Sequence, residues 1–258
     1  MALSRLLAPL LFFSFAFFPS LCPAQDNNLT ADQLVAKVLQ ARGGIARLKA
    51  VQSERVSGTI SLGPGAEGPF TVELKRPGKM HMEVTIQGQT VLRVYDGHAS
   101  GWIVNPFSQT KSAVPMSGDD LRNIADESDF DGPLVDYQPK GNQVAAIGSE
   151  NIGGKPSLKL KLTTKAGEVR TYFFDAATFL LLKWTGVRKT NDQEIPVESL
   201  FSDYRDVNGI KFAFEIDTTS PGTNQTQKLS ISKIELDPDL DDSRFDEPSD
   251  AAPPSNSP

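Results

Sequence analysis

The sequence predicts a mainly β protein: a single antiparallel, open (unclosed) β-barrel of about 11–12 strands, with an N-terminal helix and an inserted helical lid. Three observations carry this reading. Apolar and polar residues alternate through most of the chain after Val51, which is the period of a half-buried strand. The breaks between these runs are short, which favours a meander of neighbouring strands over parallel β-α-β units. Helical spacing is confined to two places, just after residue 30 and near residue 120. A single sheet of that size must curl, which leaves one concave face.

Residues 1–24 read as a cleavable export signal. Arg5 is followed by an apolar run over 6–18, and Cys22 and Ala24 are the small residues at −3 and −1 of a cut after Ala24. The run is too short to cross a hydrocarbon core, which needs about 20 apolar residues. Cys22, preceded by Pro19-Ser20-Leu21, is poorly placed for lipid attachment, and it is the one cysteine of the chain. Its loss leaves no disulfide, no thiol nucleophile and no cysteine metal site. The formal charge of −6 argues against a nucleic-acid partner. The domain then spans 25–246, and a Pro-, Ser-, Asp- and Ala-rich stretch over 247–258 reads as a disordered tail.

Within the domain, Thr30-Ala31-Asp32-Gln33 fits a capping box that opens a helix. Leu34, Val35, Val38 and Leu39 share one face of it, and Gly43-Gly44 stops it before a short amphipathic turn with Ile45 and Leu48. Phe70, Val72 and Leu74 then alternate with Thr71, Glu73 and Lys75; after a Pro77-Gly78 turn, Met80, Met82, Val84 and Ile86 alternate with His81, Glu83, Thr85 and Gln87. That is a hairpin with one apolar and one wet face. Strands follow over 90–95 and 101–105, the second carrying Trp102.

Ser117-Gly118-Asp119-Asp120 can cap a short helix bearing Leu121 and Ile124, with acidic residues at the positive end of the helix dipole. An irregular stretch over 126–137 keeps Phe130, Leu134 and Val135. Seven further strand-like runs lie between Gln143 and Leu236, separated by turns that include Gly153-Gly154, Asn191-Asp192 and Asn208-Gly209. In one of them Leu158, Leu160 and Leu162 point one way.

Chemical motifs are sparse. His81 and His98 lie near Glu83 and Asp96, but the two-residue spacing puts His81 and Glu83 on the outer face of a strand, so both histidines read as solvated. Asp237, Asp239, Asp241 and Asp242 lack the turn glycine and the bidentate Glu of a calcium loop and read as a polar chain end. No phosphate-binding glycine loop, nucleophile elbow or zinc-binding histidine pair is present, so no enzyme, metal or cofactor is expected. Asn28-Leu29-Thr30 and Asn224-Gln225-Thr226 match the glycosylation pattern and are given no role.

The apolar sheet face remains. Alternation alone says core, whereas the adaptable Met80 and Met82 and the large strand number favour a cavity. The candidate lining is Phe70, Val72, Leu74, Met80, Met82, Val84, Trp102, Leu158, Leu160 and Leu162, and the candidate lid contacts are Leu121 and Ile124.

Several strings support a resemblance. They are Glu67-Gly68-Pro69-Phe70, Lys75-Arg76-Pro77-Gly78-Lys79, Tyr95-Asp96-Gly97, Gly101-Trp102, Asn105-Pro106-Phe107, the run from Asp129 to Tyr137, and Asp203-Tyr204-Arg205 with Val207-Asn208-Gly209-Ile210-Lys211-Phe212. Together they resemble exported outer-membrane lipoprotein-sorting proteins of LolA/LolB-like fold, over roughly residues 30–245. The resemblance implies an unclosed barrel under a helical lid that holds lipoprotein acyl chains or lipids in the periplasm, with transient contact to membrane-bound transport components. Such a monomeric transport chaperone needs no catalytic group. The same fold also implies an alternative, a periplasmic lipoprotein-sensing regulatory or interaction module.

Overall fold

The structure is a computed structural model that describes residues 29–190, 193–222 and 226–249. The export signal, the Asn191-Asp192 turn, the second glycosylation pattern at Asn224 and the tail from residue 250 lie outside the described residues.

In chain order the elements are α1 (Ala31–Arg42), α2 (Ile45–Ala50), β1 (Ser53–Ser61), β2 (Glu67–Lys75), β3 (Lys79–Ile86), β4 (Gln89–Tyr95), β5 (Gly101–Val104), β6 (Val114–Pro115), α3 (Gly118–Glu127), β7 (Gln143–Ile152), β8 (Lys155–Thr163), β9 (Val169–Asp175), β10 (Leu181–Thr190), β11 (Gln193–Val207), β12 (Ile210–Thr219) and β13 (Thr226–Leu236), closed by a 3₁₀ turn over Asp242–Phe245. The thirteen strands make one antiparallel sheet in the order β6-β5-β4-β3-β2-β1-β13-β12-β11-β10-β9-β8-β7. The count exceeds the expected 11–12 because two residues, Val114 and Pro115, add a short strand against β5. The sheet is thus two meanders joined through β1 and β13, with β6 and β7 at its open edges.

Local chemistry fixes these elements. Thr30 and Gln33 form the expected reciprocal capping box at the start of α1. At its end Gly43 has φ 130°, and a Cβ there would lie 2.4 Å from the Gly209 carbonyl oxygen, so only glycine lets the helix end dock on the β11–β12 turn. Arg47 bridges the contact by donating to the carbonyls of Gly43 and Gly209. The turn itself, Asn208-Gly209, has φ 51° and 82° and joins the pair Val207–Ile210, the geometry that Asn-Gly favours in a two-residue hairpin. Ser117 sits at the α3 N-cap but makes no side-chain cap hydrogen bond.

Two regions of the concave face are solid. Under α1, Leu34, Val35, Val38 and Leu39 pack onto Leu158, Leu160, Leu162, Tyr172 and Phe174. Burying such side chains contributes about 1.5–3 kcal/mol each. Under α3, Ile124 is wholly buried against Met80 and Tyr95, with Leu74, Met82 and Leu121 at its sides.

The convex face departs from the sequence reading. The expected wet face of the β2–β3 hairpin is covered: Glu73 is 2% exposed and His81 6%. The cover is the segment after β13, whose Leu240 and Phe245 are buried. It is pinned by Lys75 donating to the Leu240 carbonyl, by Lys75 and Lys79 paired with Asp242 at 2.9 and 3.1 Å, and by Arg244 paired with Glu73. The acidic chain end is therefore a strap, and Asp242 serves as an ion-pair partner within it.

Candidate functional site

Next to the packing beneath α1 the concave face is hollow. A cavity of about 410 Å³ is lined by Val56 of β1, Phe70 and Val72 of β2, Tyr172 and Phe174 of β9, Leu181 of β10, Phe201 and Tyr204 of β11, Phe212, Ala213 and Ile216 of β12, and Leu229, Ile231 and Ile234 of β13. Val38, Leu39 and Arg42 of α1 and the stretch 131–134 complete the wall. The volume lies within the range of small-molecule sites, about 300–1,000 Å³.

Strand register explains the lining. Val56 pairs with Val72 on one side and Ile234 on the other; past a bulge at Ser57/Gly58, Ile60 pairs with Leu229 and Gly58 with Ile231. The bulge lets β13 bring Ile234, Ile231 and Leu229 to one face despite their odd spacing. That break in the alternation hides three lining residues from a strict period-two reading.

The candidate lining residues divide among several places. Phe70 and Val72 line the cavity. Leu74, Met80 and Met82 lie in the cluster that seats Leu121 and Ile124 of α3. Val84 packs with Ile60, Phe70 and Ile86 at the sheet end, and Leu158, Leu160 and Leu162 form the floor beneath α1. Trp102 is on the opposite face: it pairs with Val94, which pairs with His81, and it packs with Leu92, Val94 and Val104. Because β5 is apolar at Trp102, Ile103 and Val104 alike, alternation could not assign its inward side.

α3 is also held by charge. Arg93 and Arg188 pair with Glu127 at 2.7 and 3.5 Å, Arg170 with Asp126 at 2.6 Å, and Asn123 donates to the Lys189 carbonyl at 2.9 Å. Burial lowers the Arg170 pKa, but Asp126 and Tyr172 more than offset this and hold it above the usual arginine value. The helix thus clasps β4 to β10 across the barrel.

The cavity has one polar end, made by Arg42, Glu54, Asp131, Tyr204 and Lys211. Burial pushes the Glu54 carboxyl up to about 7, against the opposing pull of Arg42, and burial lowers the Arg42 pKa from its usual value. Tyr204 is pushed up to about 12 by burial and donates its hydroxyl to the Leu181 carbonyl at 2.9 Å. Asp131 is held low by two hydrogen bonds from Arg76. The sequence reading missed Arg42 and Glu54, yet a signal existed. Arg42 continues the apolar stripe of Val38 and Leu39, and Glu54 shares the strand period of Val56 and Ile60.

His81 is buried rather than solvated. Burial and the nearby Arg244 lower its pKa to about 4, with Glu73 acting the other way, and its Nδ1 has no hydrogen-bond partner. Among the described residues no group of three or more His, Cys, Asp or Glu could hold a metal ion. No helix there is long and apolar enough to cross a membrane.

No protein-family model matches the chain, and no curated protein matches it in sequence. Solved structures do match. A DUF1329-family protein from Desulfovibrio piger is 15% identical, with a TM-score of 0.60 over 84% of this chain and 97% of that one. A LolA superfamily protein from Nitrosomonas europaea is 15% identical, with a TM-score of 0.53 over 84% and 98%. A structure described as an outer-membrane lipoprotein-sorting protein domain, from Vibrio parahaemolyticus, is 15% identical, with a TM-score of 0.50 over 82% and 97%. The chain therefore has the LolA/LolB-like fold: one open antiparallel sheet curled beneath helices.

Proposed function

We propose that the protein is an exported, non-enzymatic carrier that holds the acyl chain of a lipid or lipoprotein in its concave sheet while moving it through the periplasm towards the outer membrane. The hollow beside α1 carries this reading. At about 410 Å³ it has room for on the order of a dozen methylene groups, each about the volume of a water molecule, about 30 Å³. Burying each methylene contributes about 0.8 kcal/mol, enough in sum for reversible binding. The wall is built from aliphatic and aromatic side chains of the sheet, and Val38, Leu39 and Arg42 of α1 cover it from one side. The LolA-like fold is consistent with this use.

The test is displacement of a fluorescent fatty acid, with Ala213→Trp as the blocking variant. Ala213 lines the hollow, so the indole fills space that the chain would occupy. Wild type binds the probe, and Ala213→Trp keeps its circular dichroism spectrum but binds at least about tenfold more weakly. Equal binding by both proteins refutes the cavity as the site. A stoichiometric protein partner with no lipid binding would favour a sensor or interaction module instead.

A further inference from the structure

Arg42 and Glu54 face each other's fields inside an apolar hollow, and among the described residues neither makes a hydrogen bond or an ion pair. The other charged groups of that end are already engaged. Asp131 accepts two hydrogen bonds from Arg76 at 2.7 Å each, and Lys211 pairs with Asp206 at 3.4 Å. A guanidinium taken from water without a counter-ion is costly unless something supplies the missing charge. Arginine's planar fork suits a carboxylate or phosphate, which it binds through two parallel hydrogen bonds.

Resting on the carrier reading, we infer that Arg42 is an anion-binding residue for the headgroup of the cargo, and that the cavity takes a single-chain amphiphile with an acidic head, carboxylate or phosphate. The chain lies along Phe70, Ile231 and Ile216, and the acid meets Arg42 at the polar end. Glu54 makes this contact depend on protonation. Arg42 on α1 acts on it directly, and Asp131 in the stretch after α3, Tyr204 on β11 and Lys211 on β12 line the same cavity. When neutral, Glu54 donates a hydrogen bond to the ligand's acid; when ionised, it competes for Arg42 and repels the ligand. Its pKa of about 7 means that affinity for the acid falls as pH rises through neutrality.

The experiment measures displacement of Nile red by hexadecanoate, hexadecyl phosphate, hexadecanesulfonate and hexadecanol. Wild type should prefer the acids over the alcohol by at least about tenfold, the scale of one charge-assisted hydrogen bond. Whichever of carboxylate and phosphate binds better identifies the head. Arg42→Gln should bring acids and alcohol to equal displacement, and a circular dichroism spectrum unchanged from wild type shows that the variant is folded. Hexadecanesulfonate stays ionised, so its affinity for wild type should weaken several-fold from pH 6 to pH 8, and Glu54→Gln should abolish that change. Equal displacement by acid and alcohol in wild type, or an Arg42→Gln that keeps the preference, overturns the headgroup assignment and leaves the carrier reading standing. No displacement by any of the four overturns both.

Discussion

Removing a side chain from the floor of the barrel should cost far more than removing one from the wall of the hollow. Leu160 is 0% exposed and packed beneath α1. Leu160→Ala deletes apolar groups worth about 0.8 kcal/mol each and leaves a hole that the rigid α1–sheet contact cannot close, for a total of about 3 kcal/mol. Phe201 is half-buried and faces space that is already empty. Phe201→Ala enlarges an existing hollow and creates no new one, so it forfeits only the partial burial of one ring, about 1 kcal/mol. The usual order, in which a phenylalanine costs more than a leucine, is thereby inverted. Urea unfolding followed by fluorescence of the two tryptophans, on protein refolded from guanidinium to strip any bound amphiphile, reads both numbers. In a domain of this size Leu160→Ala should lower Tm by roughly 6–12 °C. A Phe201→Ala cost equal to or above that of Leu160→Ala would mean that the hollow is filled.

Three further outcomes follow from the geometry. Arg170→Met removes the 2.6 Å pair with Asp126 while keeping a chain of similar length; amide hydrogen exchange in α3 should accelerate while that in α1 stays unchanged. His81 has a folded pKa of about 4, below its reference value of 6.5, so neutral His81 contributes full stability above about pH 6.5, and this is lost as pH falls towards 4; between pH 7 and 4.5, His81→Gln should lose roughly 2 kcal/mol less stability than wild type in urea titrations. Phe245 is 1% exposed, so Phe245→Ala should cost about 3 kcal/mol in the same titration, whereas truncation after Glu247 should cost nothing measurable.

Much of the fold is legible locally because the determining chemistry is local. The Thr30–Gln33 capping box, the positive-φ pair Asn208-Gly209 and the seven runs between Gln143 and Leu236 all appear where the residues place them. The site is less legible, because hollow and solid surfaces are written in the same alternation. Phe70 and Val72 read no differently from Leu160 and Leu162, and only the position of α1, docked through Gly43 on a turn some 165 residues away, decides which are covered. The strap poses the same difficulty: Glu73 and His81 alternate as a wet face should, and are buried by Leu240 and Phe245 arriving from the chain's far end. Arg42 and Glu54 were nearer to reach, since a charge on an otherwise apolar stripe marks a conflict between local pattern and burial, and such conflicts tend to mark function.

Whether the hollow carries an acyl chain can be read by native mass spectrometry of the protein purified without detergent or denaturant. Wild type should carry one acyl-chain adduct per molecule, released on collisional activation, and Ala213→Trp should fly bare. A wild-type spectrum at the bare polypeptide mass, unchanged after incubation with hexadecanoate, would contradict the carrier reading.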